Sequence, residues 1–232
     1  MLGRMIPMPG RKTRLWQDTL LGLYVLNVSI SEKEEKWGWS IKKAAKLLAK
    51  NGVCEVLAPP GFSHWDLLAK RGLSKVDIIS FLQNSAPLFV MAALEKDGIA
   101  PGEASVVLEA NRVNRVLSLT AGALCPLVRT LVIRAPVGGS QLARLLHREY
   151  GLAVTEDCEK PHVTVCFSPP DETVLGPRFV LCDPAPELNG MTIEPKNGVL
   201  PDRCDPLPLL AALWRAGMIG NDCLKAVKKE ST

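Results

Sequence analysis

A chain of 232 residues with 28 Lys and Arg against 24 Asp and Glu carries a formal charge of +4, too little to gather nucleic acid by a long-range field. Four positives, Arg4, Arg11, Lys12 and Arg14, precede the first acid, Asp18, so the remainder balances at zero (24 against 24). The seven cysteines form no C-x-x-C pair, and none of the three histidines has zinc-like spacing to one, which argues for reduced thiols and against a metal site.

In chain order, residues 1–19 read as a basic, solvated N-terminal arm. The apolar run "LLGLYVLNVSI" is shorter than the ~20 residues a membrane span needs, and Pro7, Pro9 and the charges up to Arg14 do not make a secretion leader. The expectation is a cytoplasmic protein with no membrane span. "LYVLNVSI" predicts a strand. "WSIKKAAKLLAKNG" predicts a helix with Ile41, Ala44, Ala45 and Leu48 on one face and lysines opposite, ended by Gly52. "VCEVLAP" predicts another strand, so 23–59 reads as a βαβ unit. Ser63 and Asp66 mark a helix start, and 74–97 reads as a helical zone bent at Pro87.

"DGIAPGE" is the expected domain boundary. After it come strand 104–109, helix 113–124, strand "RTLVIRA", helix 140–150, and strands "LAVTE", "HVTVCF" and "RFVLC". The helix "DPLPLLAALWRAG" packs back through Leu209, Leu210, Leu213 and Trp214, and the tail "KAVKKEST" reads as a solvated helix end. The predicted class is α/β, a Rossmann-like and mostly parallel sheet with helices on both faces, plus an N-terminal α/β segment. The segments are the arm 1–19, an α/β part 20–100, a Rossmann-like part 101–200 and a helical part 201–232.

In "VVLEANRVNRVLSL" a β-branched run ends at Glu109, and a helical pattern begins near Val113. A dinucleotide fold places G-x-G-x-x-G in such a turn; here Glu109, Asn111 and Asn114 hold the glycine positions. Those glycines permit a tight turn, close approach of pyrophosphate, and packing of helix on strand. Asparagine tolerates left-handed backbone, so Asn111 and Asn114 can keep the turn but not the space. A Glu109 carboxylate ~4 Å from a phosphate would cost roughly 4 kcal/mol at an effective dielectric of ~20. Two readings follow. In one, Glu109 pairs with Arg112 or Arg115 and closes the turn. In the other, Arg112 and the helix N-terminus still hold a phosphate.

Arg134 lies where an acid would serve NAD and an arginine would suit the 2′-phosphate of NADP. Gly138 and Gly139 follow it, and they could equally open the next helix. Residues 89–190 resemble the NAD(P)-binding half of shikimate dehydrogenases and glutamyl-tRNA reductases. "LEKDGIAPGEA" is similar to their lead-in to the first strand, "HVTVCFSPPDE" to the strand and small-residue loop beside the nicotinamide, and "RFVLCDPAPELNG" to the strand that follows. The resemblance implies Asn111, Arg112, Asn114, Arg134, Gly138, Gly139 and Ser168 as the cofactor-facing positions.

The catalytic residues of those families are not found. Lys70 and Lys75 lie on polar helical segments, and Cys54 in "GVCEVLA" reads as a buried thiol without an activating base. Cys166 and Cys182 likewise read as small hydrophobes. His64 beside Asp66 is an ordinary helix-start pair. Asp157, Asp171, Asp183 and Glu187 follow strands, as do the prolines of "APP", "RAP", "SPPD" and "DPAPE", and strand ends define the binding crevice of parallel sheets. The expected function is a non-redox descendant of the dehydrogenase-type fold, with no cofactor, that binds a small molecule or a protein partner. The alternatives are an NAD(P)-dependent oxidoreductase with an atypical turn that uses Arg112, Arg134 and the Gly138–Gly139 loop for phosphate, and an assembly protein that uses exposed apolar surface such as Trp37 and Trp39.

Overall fold

The structure is a computed structural model. It describes residues 1–9, 13–33, 35, 37–151, 154–155, 158, 160–170 and 177–229. Contacts divide the chain into two compact units, Met1–Ile78 with Asn197–Gly220, and Ile79–Lys196 with Asn221–Thr232. Each has its own sheet, and the class is α/β with mostly parallel strands.

The first unit holds a five-stranded sheet in the order β2-β3-β1-β4-β5. Its strands are β1 (Leu2–Met8), β2 (Leu15–Leu20), β3 (Leu23–Ser31), β4 (Glu55–Leu57) and β5 (Ser74–Lys75). Only the edge strand β2 runs antiparallel to its neighbour. The predicted βαβ unit is present as β3, α1 (Trp37–Lys50) and β4, but the crossover passes over β1, which lies between the two strands. The predicted apolar face of α1, Ile41, Ala44, Ala45 and Leu48, is wholly buried against Met5, Leu26, Val28, Ile30 and Val56. Helix α7 (Pro206–Arg215) belongs to this unit and is pinned by a two-pronged Arg215–Glu55 ion pair, with Nη1 to Oε1 at 2.8 Å and Nη2 to Oε2 as the second prong.

The N-terminal segment is therefore not a solvated arm. Leu2–Met8 pairs with Val25–Ser31 on one side, and Leu2–Arg4 pairs with Glu55–Leu57 on the other, which makes β1 the central strand. Arg4 is half-buried and its Nη2 donates to the Asp202 carbonyl at 3.1 Å. Two prolines and a charge disguised this strand. Pro7 is tolerated because β4 stops at the level of Arg4, so the strand there has a ladder neighbour on one side only. Arg11 and Lys12 lie outside the described residues.

The second unit holds a wholly parallel sheet in the order β10-β9-β6-β7-β8. The strands are β6 (Ser105–Glu109), β7 (Thr130–Arg134), β8 (Val154–Thr155), β9 (Val163–Cys166) and β10 (Arg178–Val180). Helices α5 (Arg115–Leu124) and α6 (Gly139–Tyr150) link the first three. From β6 the chain adds β7 and β8 on one side and then returns to add β9 and β10 on the other, the strand order of a Rossmann-like fold. Central residues are buried on both faces: Val106, Val107 and Leu108 on β6, and Val163, Thr164, Val165 and Cys166 on β9.

Three assignments change here. The zone 74–97 contains β5 and then two helices, α3 (Ile79–Asn84) and α4 (Ala86–Lys96), divided at Ser85, with Pro87 in the first turn of α4. The contact division falls at Ile78/Ile79 rather than at "DGIAPGE", because α3 packs on α5 and α4 on β9. The C-terminal "LKAVK" is not a helix end but β12 (Leu224–Lys228), antiparallel to β11 (Met191–Pro195) and packed on α4. Residues 230–232 lie outside the described residues. No helix among the described residues is long and apolar enough to cross a membrane.

Candidate functional site

The parallel sheet reverses direction of growth between β6 and β9. Neighbouring strands there send their connections away from each other, which leaves a crevice at the carboxyl ends. A cleft of about 390 Å³ lies there, lined by Glu109, Ala110 and Asn111 after β6, Arg134, Ala135 and Pro136 after β7, Ser140 of α6, and Ser168 and Pro169 after β9. That size is within the range of small-molecule sites. Among the described residues, Glu109 and Arg134 are its ionisable lining residues.

The link from β6 to α5 is not a tight glycine-type turn. The Ala110 N–H donates to the Arg134 carbonyl at 3.0 Å, and the Val113 N–H to the Val137 carbonyl at 2.9 Å. Arg112 pairs with Val137, so the link runs extended alongside the β7–α6 link. Among the described residues only Leu21, Asn189 and Arg203 are non-glycine positions with positive φ. Asn111 and Asn114 therefore do not use the left-handed backbone expected of them.

They have other tasks. Asn114 caps α5, its Oδ1 accepting from the Leu117 N–H at 2.8 Å. Asn111 is tied to the far side of the crevice: its N–H donates to Ser168 Oγ at 3.1 Å, and Ser168 Oγ donates to Asn111 Oδ1 at 3.3 Å. Gly138, at φ +88°, is the N-cap of α6, and Gly139 is its first residue. A Cβ on Gly138 would lie 3.1 Å from Val113 Cβ, so the glycine answers to backbone conformation and packing rather than to an open phosphate cradle.

Of the predicted positions, Asn111, Arg134 and Ser168 line the cleft together. Arg112, Asn114, Gly138 and Gly139 flank it without lining it. Glu109 does not close the turn by pairing with Arg112 or Arg115; among the described residues it has no ion-pair partner. It faces the cleft instead, because β6 stays in register with β7 as far as Glu109–Arg134 and the following link is extended. Its Oε2 accepts the weak S–H of Cys166 at 4.0 Å. Burial, helped by the nearby Glu109 carboxylate, pushes the Cys166 thiol up to about 12, which keeps it protonated and inert at neutral pH. Arg134 Nη2 donates to the Cys158 carbonyl at 3.3 Å.

The remaining candidates do not gather at this site. Cys54 is exposed rather than buried, while Cys166 and Cys182 are buried as expected. Glu187 forms an ion pair with Arg178 at 3.1 Å, and Asp183 is exposed. Asp157 and Asp171 lie outside the described residues. His64 is the N-cap residue of the short helix α2 (Trp65–Ala69), makes no side-chain cap bond, and lies edge-on to Phe62. Lys75 sits over the Trp65 ring at 5.2 Å. Trp39 is exposed with Lys43 5.3 Å above it; the side chain of Trp37 is outside what the structure describes. Sequence reasoning missed Ser140, Pro136 and Pro169 as lining residues, although both prolines belong to the strand-end motifs "RAP" and "SPPD".

No protein-family model matches the chain, and no curated protein matches it.

Proposed function

We propose that the second unit binds a small polar molecule in the cleft between β6 and β9, and that it descends from a dehydrogenase-type fold without hydride transfer. The observation that carries this reading is the occupancy of the crevice floor by the chain's own groups. The Asn111–Ser168 hydrogen bonds span the gap, and the Glu109 carboxylate faces the space where a diphosphate would bring like charge. The α5 N-terminus, which would receive a phosphate, is capped by Asn114. A site of this size with a few convergent polar groups suits a ligand much smaller than a dinucleotide.

The test is a fluorescence titration of the intact chain with NADPH, run beside a thermal-shift screen of small polar compounds. The reading expects no saturable NADPH binding in the micromolar range and a rise in melting temperature with a compound from the screen. Micromolar NADPH binding would overturn it.

One observation favours an NADP-dependent oxidoreductase as a second reading: Arg134 lines the cleft. That reading requires Arg134→Ala to weaken NADPH binding, and an unchanged affinity would remove its support.

A further inference from the structure

The sheet of the first unit ends on an open strand. β2 forms its edge, and among the described residues nothing pairs with the outer side of β2. Edge strands are commonly blunted by shortness, lysine, proline or a bulge, because their unpaired N–H and C=O groups recruit further strands. The opposite edge, β5, follows that rule with only two residues. β2 does not. It pairs with β3 without a break from Leu15 to Leu20 and contains neither lysine nor proline. Gln17, Asp18 and Thr19 are exposed, as is Arg14 just before the strand.

The direction of each backbone group follows from one contact. The Ser29 N–H donates to the Arg14 carbonyl at 2.9 Å, and the Arg14 N–H to Ser29 Oγ at 2.7 Å, so Arg14 turns its backbone toward β3. Alternation along an antiparallel strand then turns Trp16 and Asp18 the same way, and Leu15 and Gln17 outward. The side chains of Arg14, Trp16 and Asp18 share one face of the sheet, while Leu15 packs on the core of the other face. A base and an acid thus stand two residues either side of a half-buried tryptophan, on a strand whose outer hydrogen-bonding groups are open.

We propose that β2 is a self-pairing edge, and that a second copy of the chain adds its own β2 antiparallel to it, joining the two five-stranded sheets into one. Leu15 and the partner's Gln17, and Gln17 and the partner's Leu15, exchange both backbone bonds. Trp16 stands opposite the partner's Trp16, and Arg14 opposite the partner's Asp18 at each end. These last are the non-hydrogen-bonded positions, where Cα atoms come within ~4.5 Å and side chains interact most closely. The charges select this register. Sliding by two residues toward the hairpin sets Trp16 against the partner's Asp18, and a further step sets Asp18 against the partner's Asp18. Sliding the other way runs the pairing off the start of β2.

The test is analytical ultracentrifugation of the full chain over a concentration series reaching about 1 mM, a dissociation constant that corresponds to only ~4 kcal/mol of association. The expected result is a reversible monomer–dimer equilibrium. Arg14→Asp alone sets an acid against the partner's Asp18, and Asp18→Arg alone sets a base against the partner's Arg14. Either should weaken the dimer at least roughly tenfold. The double variant keeps the parent's net charge and restores both pairs, so it should associate as the parent does; an equimolar mixture of the two single variants should also associate. Both positions are exposed, so each variant should keep the circular dichroism spectrum of the parent.

A chain that stays monomeric across the series overturns the proposal. So does a dimer that both single variants leave unchanged, which places the interface elsewhere. Failure of the double variant to associate better than either single variant overturns the pairing of Arg14 with the partner's Asp18, and with it the register.

Discussion

Asn111 and Ser168 clasp each other across the switch point of the parallel sheet, 3.1 Å from N–H to Oγ and 3.3 Å from Oγ to Oδ1. The loops after β6 and β9 are thereby joined at the place where the fold ordinarily leaves them apart. The tie borders the cleft that Glu109 and Arg134 line.

Ser168→Ala removes both bonds of the clasp while leaving the strands intact. The bonds are neutral and solvent-accessible, so a loss of about 1 kcal/mol is expected in chemical denaturation. The Asn111 amide should exchange with solvent faster than in the parent. An unchanged exchange rate would mean that the clasp does not form in solution.

Deleting residues 1–8 removes β1 and exposes the edges of both β3 and β4. The first sheet would lose its middle strand and the buried Met5, so the first unit should fail to fold, read as a large loss of β signal in circular dichroism and rapid proteolysis. Loss of a frayed arm would instead leave the spectrum and the melting temperature unchanged.

Gly138→Ala forces a residue with a Cβ into φ +88°, with Val113 Cβ 3.1 Å away. Left-handed backbone costs an L-residue about 1–2 kcal/mol, and the contact adds to it. Gly102→Ala, with open space around the added carbon and no positive φ, should be nearly neutral. Thermal melts of the two variants side by side make the comparison, and equal melting temperatures would contradict it.

Cys166 and Cys204 hold thiols raised by burial from the usual value of 9.0, to about 12 and about 11. Below pH 9 both folded and unfolded chains keep these thiols protonated, so they add no pH dependence. Above pH 9 the unfolded chain releases protons that the folded chain retains, so stability falls as pH rises toward the folded values. Urea denaturation at a series of pH values should show this alkaline decline. Replacing both residues with alanine should flatten it relative to the parent, and an equally steep decline in the double variant would exclude these two thiols as its cause.

Much of the second sheet was legible because its strands are short β-branched runs buried on both faces, bounded by loops, with helices between them. Helices α1, α5 and α6 announced themselves by their apolar faces, and Gly52 marked the end of α1. The cleft was legible only in part: Asn111, Arg134 and Ser168 stand out in sequence because of their distance from strand ends. Their mutual arrangement is a matter of register. Nothing local tells that Glu109 will stand opposite Arg134, or that Ser168 will reach Asn111 across 57 residues of chain.

By itself the sequence determined the class of fold, the strand-helix alternation and the neighbourhood of the candidate site, because those depend on periodicity and on backbone preferences that act over a few residues. Only the tertiary structure decided that the basic N-terminus is a central strand, that the last residues form a strand rather than a helix end, and that Glu109 looks into a cleft instead of pairing with a neighbouring arginine. Each of those outcomes depends on ladder partners supplied by distant segments, whose hydrogen bonds and burial outweigh local charge and proline signals.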